Sequence, residues 1–162
     1  VGAGAMMQYL VVRELLRTEF WEKMAPQTYA VIEGAAPTME KISIGEALLT
    51  THGLEVNYVE KKQKGEPVGM LYPKEGSAYY VKPVAISSGA PHPNAAKLLF
   101  EWLLSYEGQE IAAEHGYRSF MKDGPYPAAV PALAELNVTR LEPQEFGKLQ
   151  KIAGAEFTKL FG

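Results

Sequence analysis

The stretch from Tyr80 to Gly116 constrains the fold of this 162-residue chain more than any other. It opens with a short apolar run at 84–86, turns at Pro91-His92-Pro93, and continues with apolar residues at helical spacing. This order predicts a strand, a turn and a helix that begins at Asn94, whose side chain would accept from the free N–H groups of the first turn. The predicted buried face of this helix consists of apolar residues three and four positions apart: Ala95, Leu98, Leu99, Trp102 and Leu103.

A second helix is predicted directly after the first. Ser105 is typical of a helix N-cap, and Glu107 lies in the turn that it would start. The helix is expected to end near His115 and Gly116, since glycine commonly follows the last helical residue. The segment therefore predicts one strand followed by two consecutive helices.

The same residues carry a resemblance to a known family. Pro93-Asn94-Ala95-Ala96 and Leu104-Ser105, with Glu107-Gly108-Gln109, resemble the carboxy-terminal part of the extracellular solute-binding proteins of ABC importers. That group includes ferric-iron, thiamine, polyamine and phosphonate binders. The resemblance implies an α/β fold of the periplasmic-binding-protein-like type 2, which has two lobes. Because those proteins are considerably longer than this chain, it also implies that the chain is the C-terminal half of that fold.

The resemblance divides the chain into three parts. Residues 1–72 would belong to the second lobe, residues 73–82 to a hinge crossover, and residues 83–162 to the C-terminal part of the first lobe with its terminal helices. The crossover is placed at Tyr72-Pro73-Lys74-Glu75-Gly76, which is similar to a turn of the family. The last helix is predicted from Pro143 to Phe161, on apolar residues at helical spacing.

Composition limits the classes of partner. A hydrophobic fraction of 47%, a charged fraction of 22% and a net charge of -3 describe a domain with a proper core. Lys and Arg are scattered, whereas a nucleic-acid surface needs a concentrated basic patch, so we expect no nucleic-acid partner. The absence of cysteine excludes disulfides and thiolate metal sites. No apolar run approaches the roughly 20 residues needed to span a bilayer, so no transmembrane segment is expected.

The chain begins Val1-Gly2-Ala3-Gly4-Ala5, without Met and without the basic and apolar regions of a signal peptide. We therefore expect that the true amino terminus lies outside this sequence. Together with the resemblance, this predicts a periplasmic or extracellular protein whose export signal is not part of the chain.

The start of the chain offers one candidate binding loop. Gly2, Ala3 and Gly4 lead into a helix predicted from Met6 to Met24. A glycine-bearing turn that opens a helix leaves backbone N–H groups free to meet an anion, helped by the helix dipole. The alternative interpretation is a flexible start that merely precedes a helix. The resemblance favours the first, because this loop commonly lines the ligand cleft in the family.

Further candidates lie where helices begin and strands end, which are the positions that an open α/β sheet favours for binding. Residues 29–32, 46–51 and 68–72 are predicted strands, and helices are predicted around Pro37 and over 54–64. The resemblance implies that both loops of the segment GAAPTMEKISIGEALLTT face the ligand. The candidate ligand-binding residues in this part of the chain are Ala35, Ala36, Thr38, Thr51, His52, Glu55 and Tyr79.

Tyr79 and Tyr80 lie in the predicted crossover. Adjacent side chains on a strand point to opposite faces, so one would be packed and one wet. In the functional interpretation, Tyr79 closes over the ligand. The ferric-binding members place a Tyr-Tyr pair at a position where this chain has Glu55 and Val56. A ferric site of the family's kind is therefore not expected, although Glu55 and His52 leave open an iron site with different oxygen and nitrogen ligands.

These features predict the substrate-binding component of an ABC transporter. It would capture a small polar or anionic solute, or a metal ion, between two lobes and deliver it to the membrane permease. We expect no cofactor and no enzymatic activity, because the sequence lacks the motifs of nucleophilic serine hydrolases, phosphate-binding loops, zinc proteases and dinucleotide sites. The alternatives are a ligand-sensing or catalytic domain on the same fold, and a stable proteolytic remnant without activity of its own.

Overall fold

The computed structural model describes residues 3–28, 30–79, 81–140 and 142–162. The described residues form six α-helices and two short strands: α1 (Ala3–Met24), α2 (Ala35–Ser43), α3 (Glu55–Gln63), β1 (Ser77–Tyr79), α4 (Pro93–Leu103), α5 (Tyr106–Glu114), β2 (Val138–Arg140) and α6 (Pro143–Phe161). They divide into two compact units. The first unit comprises the described residues of 1–80 and 132–162, and the second comprises residues 81–131. The assignment of 1–72, 73–82 and 83–162 to lobes and a hinge stays a prediction.

Helices α1 and α6 build the core of the first unit. The Tyr9 ring stacks on Trp21 with centroids 5.0 Å apart and meets the edge of Phe157 at 5.6 Å. Beside these rings, Arg13 donates from Nε and Nη2 to the two carboxylate oxygens of Glu156, at 2.7 and 2.9 Å. Apolar burial against the rings and a two-pronged ion pair at their edge therefore join two helices from distant parts of the chain. The buried residues of this cluster are Met6, Tyr9, Leu10, Val12, Trp21 and Ala153.

Helix α1 reverses direction at Arg17. The backbone there has φ 62° and ψ 178°, far from helical values. The indole N–H of Trp21 donates to the carbonyl oxygen of Tyr9 at 3.2 Å, whereas residues twelve positions apart in a straight helix lie about 18 Å apart. The two helical segments of α1 therefore fold back on each other. The prediction of one uninterrupted helix from Met6 was wrong, because apolar spacing continues through the break and carries no signal for it.

The conformation of Arg17 generates a stability prediction. A positive φ with an extended ψ is a region that only glycine enters freely, and holding another residue there costs about 1–3 kcal/mol. We expect Arg17→Gly to raise the free energy of unfolding by about 1 kcal/mol, after allowance for the greater freedom of glycine in the unfolded chain. Urea unfolding of the 162-residue chain measures the change. Arg17→Ala is the control, because it removes the guanidinium but keeps the strained Cβ. Equal stability of the two variants would contradict the assignment of backbone strain to Arg17.

The two strands form a small parallel pair beside α1. Ser77 lies opposite Val138, and the Ser77 N–H donates to the carbonyl oxygen of Asn137 at 3.0 Å. The side-chain amide of Asn137 donates to the carbonyl oxygens of Lys74 and Glu75, at 3.1 and 3.0 Å. Asn137 therefore fixes the turn that precedes β1 to the start of β2.

Four predicted strands do not form in the part of the chain that the structure describes. Residues 30–32, 46–51, 68–72 and 84–86 are irregular there; Tyr29, at the start of the first prediction, lies outside the described residues. Several of their apolar side chains are exposed: Leu48 by 97%, Leu71 by 83% and Val84 by 57%. The apolar runs were interpreted as buried strands, which require paired backbones and covered faces. These predictions were wrong, because neither requirement is met here.

The second unit contains helices α4 and α5. The N-cap of α4 is His92, without a side-chain cap, and Pro93 occupies the first helical position, where its missing N–H costs nothing. The prediction of an Asn94 cap was therefore wrong. The Ser105 cap is confirmed, since its Oγ accepts from the Gly108 N–H at 3.2 Å. Gly108 is required there, because a Cβ would lie 2.2 Å from the carbonyl oxygen of Trp102.

The predicted buried face of α4 was also wrong. Leu98 and Leu99 are 69% and 56% exposed, and none of the eleven residues of α4 is buried. The apolar spacing is present as predicted, but Ala95, Leu98 and Leu99 are exposed, and Trp102 and Leu103 are only half-buried. The helices predicted over 54–64 and 143–161 are confirmed as α3 and α6.

Candidate functional site

Two helices of the first unit, α2 and α3, contact each other near their C-terminal ends. Lys61 on α3 forms ion pairs with Glu40 on α2 and with Glu66 just beyond α3. The hydroxyl of Ser43, the last residue of α2, hydrogen bonds to Glu66. These contacts join the last turn of α2 to the last turn of α3 and to the loop that follows it.

The polar contacts of this pair also set its charge. Hydrogen bonds from Ser43 and then from Lys61 lower the pKa of the Glu66 carboxyl below its ordinary range. Hydrogen bonds to Glu40 and Glu66 in turn raise the pKa of the Lys61 ammonium. Both shifts favour the charged forms, so the contacts between the two helices are ionic at neutral pH.

The first turn of α2 presents backbone donors. Its N-cap is Gly34, with φ 94°, and a Cβ there would lie 3.3 Å from Cδ of Pro37. Pro37 has no N–H, while the N–H and hydroxyl of Thr38 both donate to the Gly34 carbonyl, at 3.3 and 2.8 Å. Within the described residues, the structure assigns no partner to the N–H groups of Ala35 and Ala36, and this turn contains no acidic residue. Such a helix start favours a negatively charged group.

Polar side chains gather at the start of α3. Glu55 is its first residue, and its Oε1 accepts from the Tyr72 hydroxyl at 2.7 Å. The His52 N–H donates to Oγ1 of Thr50 at 3.1 Å. Among the described residues, His52 Nε2 and Asn57 Oδ1 are buried without a hydrogen-bond partner. Each such atom costs about 1–3 kcal/mol of desolvation, so these two are the least satisfied polar groups of the first unit that the structure describes.

The structure places some predicted site residues at or just before the starts of α2 and α3 and places others elsewhere. Ala35, Ala36 and Thr38 lie in the first turn of α2, and Glu55 begins α3. Thr51 and His52 precede α3 in the loop, where Thr51 is exposed and His52 half-buried. Contact of any of these residues with a ligand stays a prediction.

The other predicted site residues lie in different elements. Gly2 lies outside the described residues. Ala3 and Gly4 are the first residues of α1, so they belong to a helix and not to the loop that the sequence predicted. Tyr79 ends β1 and is half-buried, whereas Tyr80 lies outside the described residues.

Two polar residues of the site were missed by sequence reasoning. Tyr72 was interpreted only as the start of the crossover, although a phenol directly after an apolar run is well placed to reach a neighbouring helix start. Asn57 lies in the first turn of α3, where its polar side chain interrupts the predicted inward face of Val56 and Val59. That interruption was the available signal.

The structure shows neither a metal cluster nor a membrane span in the residues that it describes. In residues 3–28, 30–79, 81–140 and 142–162, no group of three or more His, Asp or Glu side chains is placed to hold a metal ion. In the same residues, no helix is both long enough and apolar enough to cross a membrane.

Comparison with known proteins defines the class. The family of bacterial extracellular solute-binding proteins matches residues 17–137, about three quarters of the chain. The chain belongs to this family. Among curated proteins, an uncharacterized protein of Haemophilus influenzae is 31% identical over 98 residues, which cover 60% of this chain and 28% of that protein. The chain thus matches less than a third of the length of this relative. No solved structure gives a significant match.

The environment of His52 generates a prediction of pH dependence. Burial lowers the pKa of the imidazole below its ordinary value of 6.5, so the folded state resists a proton that the unfolded chain accepts. The stability contributed by neutral His52 is present above pH 6.5 and is lost as the pH falls towards the lowered folded value. We expect the urea midpoint of the wild type to fall between about pH 7.5 and 5, and the fall to be shallower in His52→Gln.

The control for this prediction is His92→Gln. His92 is exposed in the turn before α4, so its substitution should leave the pH dependence of the wild type unchanged. Parallel pH profiles for His52→Gln and the wild type would contradict the role given to His52.

Proposed function

We propose that the chain is part of the substrate-binding component of an ABC transporter, which captures a small solute outside the cytoplasm and delivers it to a membrane permease. The observation that carries this proposal is the match of residues 17–137 to the bacterial extracellular solute-binding proteins. A protein of this class acts by binding, and the sequence contains no catalytic motif that would add a chemical step. The proposed location is the periplasm or the cell surface.

The proposed ligand is a small polar or anionic solute that binds where α2 and α3 begin. The N–H groups of Ala35 and Ala36 are the donors for its anionic group, since the dipole of α2 is positive at its N-terminal end. Glu55 would repel an anion at the N-terminal end of α3. Its carboxylate would instead accept a hydrogen bond from a donor group of the solute. The Tyr72 hydroxyl, which donates to Glu55, holds that carboxylate in place.

Transport follows from differential binding. A solute held between two lobes stabilises the closed form of the receptor, and the permease recognises the closed form. A ligand can shift the equilibrium between the open and closed forms only by the difference between its binding free energies for the two forms. A few directed hydrogen bonds made only on closure therefore suffice, and no covalent chemistry is needed.

The test begins with a thermal-shift panel of phosphonates, sugar phosphates, thiamine, polyamines and ferric iron on the purified protein. We expect an anionic compound to raise the Tm. Affinity for that compound is then measured in Ala35→Pro, which removes one N–H at the helical position where proline fits best. Loss of a hydrogen bond to a charged group, about 1.5–3 kcal/mol, predicts affinity weaker by about 10- to 100-fold.

The matched control is Ala35→Ser, which keeps the N–H group. It should retain the affinity of the wild type. Unchanged binding by Ala35→Pro would show that the start of α2 is not part of the binding site. A panel without any ligand-dependent shift would count against the receptor function itself.

A further inference from the structure

The reversal of α1 is a strained and very short connection. Among the residues that the structure describes, Arg17 is the only non-glycine residue with a positive φ, and the residues on both sides of it are helical. One residue therefore joins the two helical segments, 3–16 and 18–24. Helices that fold back on each other are usually joined by about two to eight residues, so this connection has little room to relax.

The sequence around the reversal favours a straight helix instead. Residues 14–20 read Glu-Leu-Leu-Arg-Thr-Glu-Phe and contain neither Gly nor Pro. Leu, Arg and Glu are good helix formers, and Glu14 lies three positions before Arg17, where opposite charges meet on a straight helix. A straight helix would also gain the backbone hydrogen bonds that a reversal interrupts. Local preference therefore opposes the reversed conformation.

Long-range packing of residues 3–16 holds the reversal in place. Tyr9 contacts Trp21 and Phe157, and Arg13 pairs with Glu156. All three partners come after Arg17 in the sequence. A second copy of the chain presents the same partners in the same arrangement, so residues 3–16 can make these contacts with it equally well. The contacts require the two parts to meet, but not to belong to one molecule.

We propose that two copies of the chain exchange residues 3–16 and form a domain-swapped dimer in which α1 is straight at Arg17. In each copy, residues 3–16 then pack on Trp21 and α6 of the other copy. The exchange keeps the core contacts and removes the strain from both connections, and short connections under strain are those that favour such an exchange. This dimer goes beyond the proposed function and does not depend on which solute the protein binds.

The balance between the two forms depends on concentration. Association costs translational and rotational freedom, so the chain in dilute solution keeps the reversed, monomeric form described above. The dimer accumulates by mass action as the concentration rises. Its stability relative to two monomers comes from the straightened connections, since the packing contacts are the same in both forms.

The first test is sedimentation of the 162-residue chain at concentrations from about 1 μM to about 1 mM, where we expect a monomer–dimer equilibrium. Arg17→Gly relaxes the reversed monomer and weakens a straight helix. Its dissociation constant should therefore be at least about 10-fold larger than that of the wild type. Arg17→Ala is the matched control, because it removes the guanidinium, keeps the strain and favours a helix; its dimer should be at least as tight as that of the wild type.

Two outcomes of the sedimentation series would overturn the proposal. One is a chain that stays monomeric over the whole range. The other is a dimer that is equally tight in Arg17→Gly and Arg17→Ala, since such a dimer would form through a surface unrelated to the reversal.

The second test shows whether the contacts cross between copies. Arg13→Glu and Glu156→Arg each bring like charges together, both in the monomer and in a dimer of that variant alone. A dimer with one copy of each variant instead has opposite charges in both exchanged pairs. The two variants are mixed in urea, refolded together and examined by native mass spectrometry. We expect the mixed dimer to exceed the two like dimers together by at least about 10-fold.

The control for the mixing experiment carries both substitutions in one chain, which restores the ion pair within a molecule and between its own copies. It should dimerise like the wild type, and the mixed dimer should match its Tm within about 3 °C. The comparison remains decisive if either single variant fails to fold alone, because the mixed dimer does not contain the like-charged pair. Equal amounts of mixed and like dimers, or no mixed dimer, would overturn the proposal.

Discussion

The packing of Tyr9 is the contact on which the first unit depends. Its ring meets Trp21 on one side and Phe157 on another, and so joins both segments of α1 to α6. The ion pair from Arg13 to Glu156 ties the same helices across 143 positions of sequence. Helices α2 and α3 belong to the same unit, which is closed by residues from opposite ends of the chain. This unit needs residues 132–162 before its core is complete, so the contacts that close the core are non-local.

The candidate site depends on a second, polar constraint. Lys61 meets Glu40 and Glu66, and Glu66 also meets Ser43, which joins the last turn of α2 to the end of α3. Glu40 is exposed, and Lys61 and Glu66 are only partly buried, so these ionic contacts contribute little free energy. Their effect is on geometry, since they hold the C-terminal ends of the two helices together.

Local signals predicted most of the helices, because a helix is specified within its own sequence. Ser105 and the apolar spacing of 143–161 were sufficient for α5 and α6. The start of α3 was likewise predictable, and with it Glu55 as a site candidate, whereas α2 begins at Ala35, two residues before the first helical position predicted at Pro37. The contact between α2 and α3 was not predictable, because it depends on side chains that meet across more than twenty residues. The reversal at Arg17 was hidden for a related reason, since only the distant Tyr9 contact reveals it.

The predictions of four strands were wrong for one physical reason. A strand is stabilised by the strand that pairs with it, so an apolar run remains unpaired wherever that neighbour is missing. Leu48, Leu71 and Leu99 leave apolar surface in water that would each contribute about 1.5–3 kcal/mol if buried. Natural domains are stable by only about 5–15 kcal/mol, so three such side chains represent a large fraction of the total. Sequence and structure thus disagree most where the described residues hold no partner for an apolar run, and they agree best where a helix is specified by its own residues.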